Sequence, residues 1–168
     1  MVNKMLKSYL DRNKWLEMGD VELSALCQMQ TFKSSGPGGQ KVNKTSSAVR
    51  LIHTLTGIEV TSSESRSQHE NRHHALKKMR MKIALEIRSD GKKGIDNFEI
   101  SVSNSKYPLF AALLLDSLDN YGFRIGDCAQ SLGLSTGQFV RLLEKDPEIW
   151  RKVNSERKTL GLKPLILD

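Results

Sequence analysis

Residues 31–60 read TFKSSGPGGQKVNKTSSAVRLIHTLTGIEV, and the order of signals within them decides the fold. The chain around Gln30–Lys33 suits a short strand. Three glycines, Gly36, Gly38 and Gly39, then fall within four residues around Pro37, with Gln40 directly behind. A basic, polar run leads into Ser47–His53, which reads as a strand with Val49 and Leu51 on one face. Thr56-Gly57 turns the chain into Ile58–Ser62, so the two segments predict a hairpin. A glycine-rich loop is thereby set just ahead of a hairpin.

Working outward, a short helix opens at Asp20 (VELSALCQM). Downstream, Ser67 and Glu70 form an S-x-x-E capping box, and Leu76, Met79, Ile83 and Ile87 recur at helical spacing. Arg72, Lys77, Lys78, Arg80 and Lys82 occupy the remaining faces of that helix. The polar stretch SDGKKGIDN, residues 89–97, breaks the pattern. Beyond it, NFEISVS alternates Phe98, Ile100 and Val102 and is a candidate for one more strand. The rest reads as helical. Lys106–Asn120 is apolar and closes near Gly122. RIGDCAQSLGLSTGQFVRLLEK then resembles a helix-turn-helix, with Ala129 small at the crossing, Gly133 in the turn, and Phe139 and Leu142 facing inward. Ser135 and Gln138 make a second capping box. Asp146-Pro147 begins a final helix that Gly161 ends. Two domains are expected, residues 1–96 and 97–168.

Charge divides the chain in the same place. Residues 1–96 hold 17 Lys and Arg against 10 Asp and Glu, whereas residues 97–168 hold 9 against 9. The whole excess of +7 lies in the first part, together with His53, His69, His73 and His74. Such asymmetry suits a polyanion-binding module joined to a segment with a different task. No apolar run approaches the ~18 residues of a membrane span. The start, MVNKMLKSYLDRNKW, lacks a signal-peptide pattern, and Cys27 and Cys128 are far apart, so a reducing cytoplasm is expected.

The glycine loop does not fit the usual phosphate cradles. Lys41 follows Gln40 rather than a Walker glycine, and no G-x-G-x-x-G occurs. His69 and His73 share a helix at i,i+4 without an H-E-x-x-H frame, so neither metal nor cofactor is expected. Chemistry done by backbone remains open. Adjacent glycines let the chain approach a substrate without a Cβ in the way. An amide N–H held there can donate to a developing oxyanion or leaving oxygen. The same residues also suit a plain turn between two elements.

The segment TFKSSGPGGQKVNKTSSAVRLIHTLTGIEVTSSESRSQHENRHHALKKMR closely resembles the catalytic domain of class I peptide chain release factors and the small hydrolases built on it. Ser-Gly-x-Gly-Gly-Gln, Val-Asn-Lys, the Thr-Gly hairpin and Arg-Ser-Gln followed by Asn-Arg occur in one order, between about Met29 and Ile87. The resemblance implies an α+β fold and hydrolysis of the ester joining nascent peptide to tRNA in the ribosomal peptidyl transferase centre. Gly38 and Gly39 would set the backbone, and Gln40 would be the catalytic position, its N–H on the reacting or leaving oxygen and its side chain admitting water. Lys41, Asn43, Lys44, Arg66, Gln68 and Arg72 would contact ribosomal RNA or the tRNA end. Lys41 stands where many relatives carry histidine. Gln40 is also a candidate for N5-methylation, which would make a glutamine methyltransferase a further partner.

The stop-codon-reading domain of the full release factors has no counterpart expected in this length. Codon-independent relatives rescue stalled ribosomes with a basic, disordered tail. Here RKVNSERKTLGLKPLILD reads instead as an ordered helix and an apolar tip. The helix-turn-helix-like segment stands in its place, suited to RNA contact, protein contact or packing. The favoured expectation is therefore a codon-independent, ribosome-dependent peptidyl-tRNA hydrolase. The alternative is a non-enzymatic RNA- or DNA-binding protein that uses the helix-turn-helix-like segment.

Overall fold

The computed structural model describes residues 9–33, 46–89 and 94–166. The chain divides into two compact units, Met1–Ile83 and Ala84–Asp168. Sheet and helices together make an α+β protein.

In the first unit, α1 (Tyr9–Glu17) and α2 (Asp20–Ala25) precede an antiparallel sheet of order β1-β2-β3. Its strands are β1 (Cys27–Phe32), β2 (Ala48–His53) and β3 (Glu59–Ser62). Cys27 pairs with His53 and Phe32 with Ala48, while Val49 pairs with Ser62 and Ile52 with Glu59. The predicted hairpin is present, and Gly57 supplies the left-handed residue its turn needs, at φ 72°. β2 is central and supplies Val49, Leu51 and His53 to the interior, all fully buried. β1 starts earlier than the sequence suggests, at Cys27 rather than near Gln30. Local helical pattern through Met29 loses to pairing with Leu51–His53, and Leu26 closes α2 by donating to the Leu23 carbonyl at 3.1 Å.

The long helix α3 (Gln68–Glu86) follows. Leu76, Met79 and Ile83 lie buried as their spacing predicts, and Ala75 and Ala84 join them. Its capping box is only half formed. The Glu70 amide donates to Ser67 Oγ at 3.3 Å, but the Glu70 carboxylate accepts from Ser65 Oγ instead of the Ser67 amide. The Ser67 amide goes to Ser65 Oγ, at 3.0 Å.

The second unit contains α4 (Tyr107–Asn120), α5 (Ile125–Ser131), α6 (Thr136–Glu144) and α7 (Pro147–Thr159). The candidate strand at residues 98–102 is absent; the sheet has three strands among the described residues. Val102 is exposed there, and Ser101 and Asn104 carbonyls accept turn bonds from the Asn104 and Tyr107 amides. Alternation alone does not make a strand without a neighbour to share its ladder.

The helix-turn-helix-like pair is formed. Gly133, at φ 69°, ends α5, and the Leu134 amide returns to the Ala129 carbonyl at 2.9 Å. Ser135 and Gln138 complete their reciprocal cap, at 3.2 and 2.9 Å. Phe139 and Leu142 are buried. Asp146 caps α7 by accepting from Glu148 and Ile149 amides at 2.7 and 3.4 Å.

Candidate functional site

The predicted catalytic residues Gly38, Gly39 and Gln40, with Lys41, Asn43 and Lys44, lie outside the described residues. The frame that holds the two ends of their segment is described. Because Phe32 pairs with Ala48 and Thr31 with Val49, the chain leaves the sheet and re-enters it at adjacent positions. Arg50 braces that end on the outer face. Its guanidinium lies 5.7 Å from the Phe32 ring centroid, and its Nε is 3.0 Å from a Glu59 oxygen, so one side chain ties all three strands.

Asn71 holds the re-entry point. It sits in the first turn of α3, fully buried. Its amide group donates to the Ser47 carbonyl at 2.8 Å and to the Ser65 carbonyl at 2.7 Å, while its Oδ1 accepts from the Ser65 amide at 2.9 Å. One side chain thus ties α3 to both the residue preceding β2 and the turn preceding α3. The sequence reading placed Asn71 inside the family motif but gave it no role. The available signal was a lone asparagine within a helix, where asparagine is not intrinsically favoured.

The three described RNA-contact candidates divide. Arg66 and Gln68 are exposed at the head of α3, on either side of Ser67. Arg72 is partly buried, and its Nη2 donates to Ser24 Oγ of α2 at 2.8 Å. Arg72 therefore already has a structural task within the unit.

Four further α3 side chains, His73, His74, Lys78 and Arg80, face carboxylates. Asp20 receives His73 Nδ1 and Arg80 Nη1, each at 2.8 Å. Burial pushes its carboxyl up, but the His73 and Arg80 hydrogen bonds and charges outweigh that and hold it below its ordinary range. Glu64 pairs with Lys78 and lies 3.4 Å from His74. Among the described residues, no three His, Cys, Asp or Glu side chains converge to hold a metal. His53 differs from the other three histidines. It is buried, its Nδ1 lies 2.9 Å from Thr56 Oγ1, and its ring meets Trp15 edge-on at 4.7 Å. Burial pushes its pKa down.

The RF-1 domain family matches residues 20–105, half of the chain, and the match contains the sheet, α3 and the segment between β1 and β2. This chain belongs to the RF-1 domain family. Peptide chain release factor 1 of Caldicellulosiruptor bescii is 43% identical over 84 residues, which cover 48% of this chain and 24% of that protein. The protein of the same name from Xylella fastidiosa is 45% identical over 74 residues, or 44% of this chain and 20% of that one. That of Burkholderia cenocepacia is 48% identical over 68 residues, or 40% and 19%. The chain therefore spans a quarter or less of the length of these relatives. Among the described residues, no helix is long and apolar enough to cross a membrane.

Proposed function

We propose that this protein hydrolyses the peptidyl-tRNA ester on the ribosome without reading a codon, and so frees stalled ribosomes in the cytoplasm. The observation that carries the reading is the intact Ser-Gly-Pro-Gly-Gly-Gln at residues 35–40, between two paired strands of an RF-1 domain. The relatives named peptide chain release factor 1 support the same chemistry.

In this reading Gly38 and Gly39 let the backbone approach the ester, and the Gln40 N–H donates to the oxygen on which charge develops. Water adds to the ester carbonyl carbon, the bond to the tRNA ribose oxygen breaks, and that oxygen leaves as a hydroxyl. No side-chain acid–base pair is needed, because substrate and ribosome supply most of the positioning. The Gln40 side chain shapes the space that admits water, and its N5-methylation by a glutamine methyltransferase would tune that space. Lys41, Asn43, Lys44, Arg66 and Gln68 would position the domain on ribosomal RNA or the tRNA end, through contacts that orient rather than specify. Arg72 would serve chiefly by holding α3 to α2.

The test is peptide release from ribosomes that carry peptidyl-tRNA, with an empty A site and either a sense codon or no codon. Wild type should release peptide. Gly39→Ala, which displaces the Gln40 N–H, should fall by about 10²–10³-fold at matched ribosome binding, the typical cost of an oxyanion donor, whereas Gln40→Ala keeps that N–H and should fall less. Tight binding with no release by wild type would overturn the hydrolytic reading.

A further inference from the structure

The second unit sums to zero net charge, yet its cations are not spread evenly. Five of the nine Lys and Arg in residues 97–168 lie between Arg151 and Lys163, and Glu156 is the single acid in that interval. Two of these cations, Arg151 and Lys158, line a groove of about 730 Å³, formed by one face of α7 and the chain that follows it. No acidic side chain lines it.

The wall opposite the helix is pinned in place. After Gly161, at φ 71°, the chain doubles back along α7. Asn154 donates to the Leu165 carbonyl at 3.2 Å and accepts from its amide at 2.7 Å, as a neighbouring strand would. Arg157 donates to the Lys163 carbonyl from Nε and Nη2, at 2.9 and 2.7 Å, and to the Phe123 carbonyl from Nη1 at 2.5 Å. Leu162 and Pro164, alternate residues of this extended segment, both line the groove.

Trp150 presents an aromatic surface in the same groove, and Arg151 and Lys158 stand exposed on its helical side. They are seven residues apart, about 10.5 Å along the axis. Neither forms an ion pair among the described residues, and Arg151 spends its Nε on the Pro147 carbonyl at 3.1 Å, in contrast to Lys152, which lies 2.7 Å from Glu156. An aromatic face beside unpaired cations, in a preformed groove without carboxylates, is the chemistry that takes an unpaired base and its flanking phosphates.

We propose that this groove binds single-stranded RNA, with a base stacked on Trp150 and phosphates at Arg151 and Lys158. Duplex fits the site poorly, because its bases are already stacked. An acidic peptide would satisfy the cations but leave the indole face without a planar partner. The site would give the protein a second RNA contact, separate from the exposed residues at the head of α3. It does not require the hydrolytic reading to hold, and its test uses no ribosome.

The test is titration of the full chain with a single-stranded hexamer of adenylate at low salt, followed by tryptophan fluorescence. Trp15 is buried, so quenching should come from Trp150 and disappear in Trp150→Phe. Arg151→Glu combined with Lys158→Glu keeps both tryptophans and alters only exposed side chains. Affinity read from the quench should fall at least tenfold in that variant. The slope of log affinity against log salt should flatten by about 1.4, for two single-strand phosphates at about 0.7 each. Unchanged Trp150 emission in wild type, or wild-type quenching in the charge-reversed variant, would overturn the proposal. So would quenching by oligoglutamate but not by the RNA.

Discussion

Replacing Asn71 with alanine removes three hydrogen bonds from one buried side chain and leaves the Ser47 carbonyl and both backbone groups of Ser65 without those partners. A bond of this kind contributes about 1 kcal/mol net, and an orphaned buried group costs about 1–3 kcal/mol. Ser47 and Ser65 are only partly buried, so water can replace some of what is lost. The lower figure applies to each bond, and the expected loss is about 3 kcal/mol for the first unit. Urea unfolding in a Trp150→Phe background reads it directly, because Trp15 is then the one tryptophan and lies in the core beside His53. The damage should also be local. Amide exchange should accelerate at Ser65 and around Ser46–Val49, more than at the His53 end of β2. Asn71→Asp offers a sharper check, since it keeps the acceptor for the Ser65 amide but sets a carboxylate against two carbonyl oxygens. That variant should be less stable than wild type at pH 7 and recover as acid protonates it, restoring a donor. A loss below about 1 kcal/mol in Asn71→Ala, with no change in exchange at Ser46–Val49, would refute the claim that Asn71 holds the strand's entry.

His53 makes stability depend on pH. Its pKa is depressed by burial, so the unfolded chain binds the proton more readily, and stability present above about pH 6.5 should drain away as pH falls below it. Chemical denaturation between pH 5 and 7 should show that slope, and His53→Gln should flatten it. Burial pushes the Cys128 thiol up to about 12, so in the native protein it should resist a thiol reagent at pH 8 and become titratable only on unfolding. Asp146→Ala should cost the second unit about 1–2 kcal/mol by uncapping α7, measured by calorimetry, whereas Asp146→Asn should retain most of the cap. Burial and the neighbouring Asp146 carboxylate raise the Tyr107 hydroxyl, so Asp146→Asn should also lower its titration midpoint in ultraviolet absorbance.

Much of this fold is written in neighbouring residues. Thr56-Gly57, Ser135-x-x-Gln138, Gly133 and Asp146-Pro147 each specify a turn or a helix end within a few positions, and each forms in the structure. The spacing of Leu76, Met79 and Ile83 identified the buried face of α3. The glycine-rich segment with Gln40, and its place ahead of a hairpin, was legible in the same way. α1 was not, because Trp15 and Leu16 are too few to mark a periodic face, and the burial of Arg12 beside them contradicts its usual preference.

What only the tertiary structure decided concerns partners far along the chain. Arg72 reads as a free cation until Ser24, 48 positions away, takes its guanidinium. Asn71 reads as an ordinary helix residue until Ser47, 24 positions away, accepts its amide. Phe98–Val102 has the alternation of a strand but, among the described residues, no strand to pair with, while Cys27–Met29 has a helical pattern and is drawn into β1 by β2. Caps, turns and periodic faces depend on atoms a few residues apart, so sequence alone determines them. Which polar group is spent on structure and which stays open to a ligand depends on what folding brings beside it, and no local pattern carries that information.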